Sequence, residues 1–277
     1  MNHLTIPKVF LLALSALAPA APAAAEGIFP DKNLEAAVRK YVFAKRDNDM
    51  PITAEDVKDI STIESTGKGI KDLTGLENCR SLALLNLSGN EITDISPIKG
   101  LKNIQSLDLS KNKIKDLKPL EGLTGLQYLQ LADNEVSDLA PIAKLEKLTA
   151  LYLSKNKVSD ASQLSGLKKL WSLYLDHNSI TDLKPLSSLT NLSSLDLRGN
   201  QVADLAPISG LTELKYLLLD DNKLTDVTVL IDMAKKDAEK EKRFSPYWEV
   251  YLNGNSVPEN QVAELKKLAR VVKFEKK

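Results

Sequence analysis

Ser154, Asp176 and His177 are the residue types of a hydrolytic triad. Ser154 stands one 22-residue step before Asp176, so a chain coiled with that period could bring all three side by side. Such a set would perform acyl transfer only with a strained nucleophile turn and an oxyanion site, and neither accompanies these residues. Gly-rich phosphate loops, HExxH and paired cysteines are likewise missing from the sequence. A column of aspartates at Asp72, Asp94, Asp116, Asp138, Asp160, Asp182, Asp204 and Asp226 could suggest a metal ladder. Proline, however, lies three residues beyond five of them, at Pro97, Pro119, Pro141, Pro185 and Pro207. Asp followed by Pro within one turn reads as an N-cap with a first-turn proline, so capping is the expected role. Cys79 is the only cysteine and stands where later repeats carry Leu101, Leu123, Leu145 and Leu167. It is expected to be a buried small hydrophobe, with no disulfide. The sequence therefore reads as non-catalytic, with no cofactor and no metal.

The elements that position these residues follow from one period. Asparagine recurs at a constant 22-residue step, at Asn90, Asn112, Asn134, Asn156, Asn178, Asn200 and Asn222. Before each stands a leucine pair, Leu85/Leu87 through Leu217/Leu219, and two residues after it an aliphatic side chain, Ile92 through Leu224. The pattern, LxLxxNxIxDLxPLxxLxxLxx, is identified as a leucine-rich repeat. A unit this short cannot bury its own apolar face, so each coil must stack on the next and share one continuous core. The expected fold is α/β: a curved right-handed solenoid with a parallel sheet of LxL strands on the concave face and short 3-10 or turn segments on the convex face. The Asn side chain is expected to satisfy backbone groups left buried at the inward turn.

Residues flanking the two core positions of each strand must point away from the core. Five of the seven Tyr and both Trp fall in such columns, and none of the five Phe does. Aromatics with a polar handle bring large area at low rotamer entropy, which suits recognition. The expected partner-binding residues are Tyr128, Tyr152, Trp171, Tyr174, Tyr216, Trp248 and Tyr251, with Asp176, Arg198 and Asp220 as a polar rim. Tyr152 and Tyr174 should stand on adjacent strands about 4.8 Å apart, with Trp171 and Tyr128 beside them. Decoration of the strands by cross-strand aromatics is the bland alternative.

Both ends of a solenoid need caps. Residues 26–59 are expected to form a helical N-terminal cap, with Asp31 as N-cap, Leu34, Val38 and Val42 on one face, and a second helix start at Thr53. Repeats are expected over 60–255, beginning with a degraded coil in which Lys68 replaces Asn. The step from Asn222 to Asn255 spans one and a half repeats, so an exposed helical insertion of half a repeat is expected around 232–243. Residues 256–277 should form a helix-strand C-terminal cap.

Residues 1–25 read as a secretory signal peptide: Lys8, the apolar run Val9–Ala18, and Ala23-Ala24-Ala25 before Glu26. Full-length Lys+Arg and Asp+Glu are 37 each, and losing Lys8 leaves 36 against 37. No preference for nucleic acid or membrane follows from that balance. A soluble, monomeric protein of the periplasm or the extracellular medium is expected.

The 22-residue repeat together with the segment Ile28-Phe-Pro-Asp-Lys-Asn-Leu-Glu-Ala-Ala-Val38 resembles the internalin-type leucine-rich repeat proteins of bacteria over residues 27–272. The resemblance implies a scaffold that binds proteins through its concave sheet. Surface-anchored internalins carry an Ig-like domain and a wall-anchoring region after the repeats, for which this sequence shows no counterpart. Two alternatives stay open: a glycan or envelope-polymer binding module, and a phosphatase-regulator-like repeat protein.

Overall fold

The computed structural model describes residues 27–239 and 245–275; the expected signal segment 1–25 lies outside them. Ten parallel strands form one sheet in sequence order, β1 to β10. They are β1 Thr62–Glu64, β2 Leu84–Asn86, β3 Ser106–Asp108, β4 Tyr128–Gln130 and β5 Ala150–Tyr152, followed by β6 Ser172–Tyr174, β7 Ser194–Asp196, β8 Tyr216–Leu218, β9 Glu249–Tyr251 and β10 Val271–Lys273. The register repeats the sequence period, Leu85 opposite Leu107, Leu107 opposite Leu129 and so on to Leu217 opposite Val250. The long last coil thus takes up its extra residues without shifting the ladder. The aliphatic positions of each coil, such as Leu126, Leu129, Leu131 and Leu139, are buried. Each fully buried side chain of this size stabilises by about 1.5–3 kcal/mol.

The asparagines tie coil to coil. Asn112 Nδ2 donates to Leu87 O of the preceding coil at 3.0 Å and to Leu109 O of its own at 2.9 Å. Its Oδ1 accepts the Ile92 N–H at 3.0 Å. Asn134 repeats the set on Leu109, Leu131 and Ile114, so each leucine carbonyl receives two amides. Buried backbone groups at the turn are thereby satisfied. The residue just before each Asn is left-handed, with φ from 53° to 69°, at Gly89, Lys111, Asp133, Lys155, His177, Gly199, Asp221 and Gly254. Five of the eight are not glycine and hold this strained conformation under the ladder's constraint.

Each column aspartate accepts the N–H two residues ahead: Asp94 from Ser96 and Asp116 from Lys118, both at 2.8 Å. It sits one residue before the N-cap of the following 3-10 turn, Ser96–Ile98 or Lys118–Leu120, whose proline lies in the first turn. The expected capping role is thus filled as an Asx turn rather than from the N-cap position itself. Cys79 is fully buried, and burial with the nearby Glu77 charge pushes its thiol up to about 12.

At the N-terminus, α1 Lys32–Arg39 starts at Asp31, whose Oδ1 accepts Asn33 N and Leu34 N at 2.8 and 3.1 Å. Its Oδ2 accepts Lys71 N and Asp72 N, joining helix to first coil. The helix ends sooner than its apolar face suggests, and Arg39 Nη1 then gathers the carbonyls of Lys45, Asn48 and Met50. A second helix, α2 Ala54–Val57, follows.

At the other end, α3 Thr228–Glu239 corrects the expected exposed helix near 232–243. It begins earlier, in the place of a convex 3-10 turn, and buries Leu230, Ile231, Met233 and Ala234. Residues 240–244 lie outside the described ones. The closing helix α4 Glu259–Leu268 packs on α3, with Lys235 Nζ 2.5 Å from Glu264, and β10 completes the sheet.

Candidate interaction face

Alternation along each three-residue strand puts the middle residue in the core and the outer two on the concave face. Tyr128 is therefore a first-position residue of β4, while Tyr152 and Tyr174 are third-position residues of β5 and β6 in direct register. Their rings form a ladder. Tyr128 and Tyr152 have centroids 5.4 Å apart at 48°, and Tyr152 and Tyr174 have centroids 4.9 Å apart at 78°. Ala150 and Ser172, beside Tyr128 in the first-position column, are small enough to leave these rings room. Ser194 Oγ donates to the Tyr174 hydroxyl at 3.3 Å. Burial raises the Tyr128 hydroxyl pKa, and the charge of Asp108 adds to it.

The face continues past β7. Tyr216 is exposed, Leu218 is half-buried, and the Tyr251 hydroxyl donates to Glu249 Oε2 at 3.3 Å. Burial, then Glu249, raises the Tyr251 pKa.

Two of the expected aromatics stand elsewhere. Trp171 is 62% exposed, but the ring contacts on the sheet run among Tyr128, Tyr152 and Tyr174 and do not include it. Trp171 N and Ser172 N both donate to Thr149 O, at 2.8 and 3.2 Å. Two successive amides on one carbonyl, a pairing repeated in each coil from β2 to β8, break the alternation just before the strand, and Trp171 opens onto a shallow depression of about 500 Å³ with Thr190, Asn191 and Lys215.

Trp248, expected on the concave face, is fully buried. It precedes Glu249 as Lys215 precedes the paired Tyr216, yet the burial pattern is inverted there: Leu214 is buried and Lys215 exposed, whereas Tyr247 is exposed and Trp248 buried. In the long coil the chain enters β9 through a 3-10 turn, Ser245–Tyr247, and the core position slips by one residue.

The rim at and beyond the third strand position is a hydrogen-bonded polar row. Asp196, fully buried, takes Arg198 through Nε at 2.9 and 3.1 Å and through an Nη nitrogen at 2.5 Å. That pairing raises the guanidinium pKa. Asp220 accepts Asn253 N at 2.7 Å; burial raises its pKa, and Asp221 and Asp196 add to the shift. Asp176 accepts Ser154 Oγ on one oxygen and lies 3.0 Å from His177 Nδ1 on the other. The Ser154 hydroxyl thus engages the carboxylate, and the nucleophile–base contact of a triad is not formed.

Sequence reading also missed two exposed apolar side chains on the N-terminal cap, Phe43 and Met50. They follow from the early end of α1, for which the apolar pattern gave no signal.

The architecture defines a capped leucine-rich repeat solenoid. The family model for leucine-rich repeats (two copies) matches residues 80–122, 102–144, 124–169, 168–210 and 190–232. These windows run unbroken over more than half of the chain, which belongs to the leucine-rich repeat family. Its fold resembles that of the internalin-type repeat proteins. It is similar to internalin C2 from Listeria monocytogenes, at 27% identity and TM-score 0.68 over 90% of this chain and 95% of that one. Internalin InlF of the same organism aligns at 25% identity and TM-score 0.57, over 92% and 94%. A leucine-rich repeat protein from Leptospira interrogans aligns at 26% identity and TM-score 0.62, over 72% of this chain and 56% of that one. No curated protein matches the chain in a sequence comparison.

Proposed function

We propose that this chain is a secreted, non-catalytic scaffold that binds a protein partner through its concave sheet. The observation that carries the reading is the Tyr128–Tyr152–Tyr174 ladder, three amphipathic rings packed against one another on the open side of β4–β6. Tyr216, Leu218 and Tyr251 extend this surface across β8 and β9. Aromatic anchors of this kind dominate protein interfaces, and truncating one commonly costs about 2 kcal/mol or more of binding. Leucine-rich repeat domains are in general protein-interaction modules, which agrees with the reading.

The ring packing also separates a protein from a saccharide partner. Rings that cover one another's faces offer edges and hydroxyls, whereas a sugar stacks on a free face. A saccharide reading draws on Trp171 instead, whose exposed ring is flanked by Thr190 and Asn191. Secretion rests on Lys8, the apolar run Val9–Ala18 and the Ala23-Ala24-Ala25 site. Among the described residues no helix is long and apolar enough to cross a membrane.

The test is a Tyr152→Ala, Tyr174→Ala double variant, assayed against proteins retained by the wild-type chain from culture medium and envelope fractions. The variant is expected to keep its circular dichroism and lose the retained protein. Unchanged retention by the folded variant refutes the assignment. Retention abolished by isolated polysaccharide supports the saccharide reading instead.

A further inference from the structure

The concave face differs in charge from the molecule that carries it. The chain has equal numbers of acidic and basic residues. Yet the three outward columns of β1–β9, namely the first and third strand residues and the second residue beyond, hold six carboxylates and one cation. The carboxylates are Glu64, Asp108, Asp176, Asp196, Asp220 and Glu249, and the cation is Arg198. Arg198 is spent on Asp196, which binds it through both oxygens. Glu249, at the far end, lies 3.5 Å from Arg270 of the C-terminal cap. The flanking turn column does not offset the excess, since its two lysines, Lys111 and Lys155, are equalled in number by Asp133 and Asp221. The remaining lysines lie mostly on the convex side and the loop edges, many in pairs such as Lys113 with Glu91 and Lys157 with Glu135.

The acidic residues flank the aromatic ladder rather than lying apart from it. Asp108 precedes it on β3, Asp176 directly follows Tyr174 and Leu175, and Asp196 is in register with Tyr174. A surface with carboxylates beside tyrosine hydroxyls suits a guanidinium or ammonium group, which gains both charge attraction and hydrogen bonds to those oxygens. Such complementarity steers encounter and excludes partners of like charge.

Resting on the concave-face reading above, we propose that the occupant of this face is a basic protein segment, one that sets arginine or lysine side chains between the tyrosine ladder and the Asp176–Asp220 rim. Asp176 and Asp196 are already buried and hydrogen-bonded, but a neutral or acidic partner would desolvate the half-buried Asp108 and Asp220 without a cation to match them.

The probes are short synthetic peptides of equal length and aromatic content, carrying arginines, glutamates or neither. Their binding to the signal-free chain is followed by fluorescence anisotropy at two salt concentrations. Arginine peptides are expected to bind, more weakly at high salt, and glutamate peptides are not. An Asp176→Asn, Asp220→Asn variant keeps the shape of the rim and one acceptor oxygen at each position while removing the charge. It is expected to bind arginine peptides about three- to tenfold more weakly. A convex variant, Glu121→Gln with Glu146→Gln, removes the same charge and is expected to bind them as the wild type does.

Equal loss in both variants, no loss in either, or no binding of the arginine peptides overturns the proposal. Neutral or glutamate peptides that bind, are released by Tyr152→Ala with Tyr174→Ala, and ignore the Asp176/Asp220 change overturn it too. That last result leaves the concave-face reading standing, whereas arginine peptides that depend on the Asp rim but not on the tyrosines remove the ladder from the site.

Discussion

Tyr152 and Tyr174 occupy equivalent positions of consecutive repeats, and their rings meet edge to face with centroids 4.9 Å apart. The pair shows how a solenoid converts a sequence period into a surface: one residue type, repeated one coil later, becomes one contiguous patch. Edge-to-face packing of this geometry contributes about 0.5–1.5 kcal/mol beyond area burial. The rings are thus held against one another before any partner arrives, an arrangement that lowers the entropic cost of binding.

The asparagine ladder should be the most sensitive polar feature of the core. Asn134→Ala removes two amide donations and leaves the buried Ile114 N–H without its acceptor. A loss of about 2–3 kcal/mol is expected, read from urea unfolding followed by circular dichroism. Lys68→Asn, at the equivalent position of the first coil, is expected to change stability little, because no earlier coil supplies groups for it to bond.

Ser65 stands where later coils carry Leu87, Leu109 and Leu131, and its buried hydroxyl has no hydrogen-bond partner. Ser65→Ala is expected to raise stability by about 1 kcal/mol by removing an unsatisfied polar group. A lowered urea midpoint would contradict this account of the first coil.

Backbone strain at the turn gives opposite signs at two sites. Lys155 is held at φ 53°, so Lys155→Gly should stabilise by about 0.5–1 kcal/mol, the strain relieved exceeding the added chain entropy. Gly75 has φ 104°, and a Cβ there would lie 2.5 Å from Phe29 Cδ1 and 2.7 Å from Ile28 O. Gly75→Ala should loosen the junction between the N-terminal cap and the first coil, measured as faster amide exchange in α1.

The N-terminal cap should be the acid-labile end. Burial pushes the Asp31 carboxyl up, but four backbone N–H groups, from Lys71, Leu34, Asp72 and Asn33, together hold it below the usual range. Asp56 is likewise lowered against its burial by Lys45 and Thr53, and Glu35 is lowered chiefly by Lys32. A carboxyl whose folded value is depressed contributes stability that is present above its unfolded value, 3.8 for Asp and 4.5 for Glu, and lost as pH falls through the folded value. Near the other end Asp220, whose value is raised, acts in the opposite sense, and the lowered carboxyls of Asp226 and Glu264 stand open to solvent, where screening weakens their contribution. Amide exchange in α1 should accelerate relative to β4–β6 as pH drops below the carboxylate range, and Asp31→Asn should flatten that difference.

The period carried most of this structure. Once Leu85, Leu107 and Leu129 are known to recur with one constant period, the parallel register, the Asn bonds and the tyrosine ladder follow, since each depends on equivalent residues standing side by side. Where the period broke, local pattern was insufficient. Trp248 belongs to the same register column as Trp171, yet the longer ninth coil enters β9 by a different turn, and Tyr247 takes the exposed position instead. Trp171 is a separate case in which the period holds: before each strand from β2 to β8 two successive amides share one carbonyl, a kink that two-residue alternation does not contain. The start of α3 was equally hidden. Asp226 and Thr228 open it with the same Asx turn that elsewhere begins a 3-10 segment, and only the aliphatic run after Thr228 makes it longer.

The most direct measurement of the concave-face account is photo-crosslinking from a probe residue at position 174, in culture medium and envelope fractions. The control probe belongs at Lys118, exposed on a convex 3-10 turn, since Lys235 is engaged by Glu264. The account predicts one discrete protein adduct from position 174 and none from position 118. Equal, diffuse labelling from both positions would contradict it and leave the tyrosines as reinforcement of the sheet.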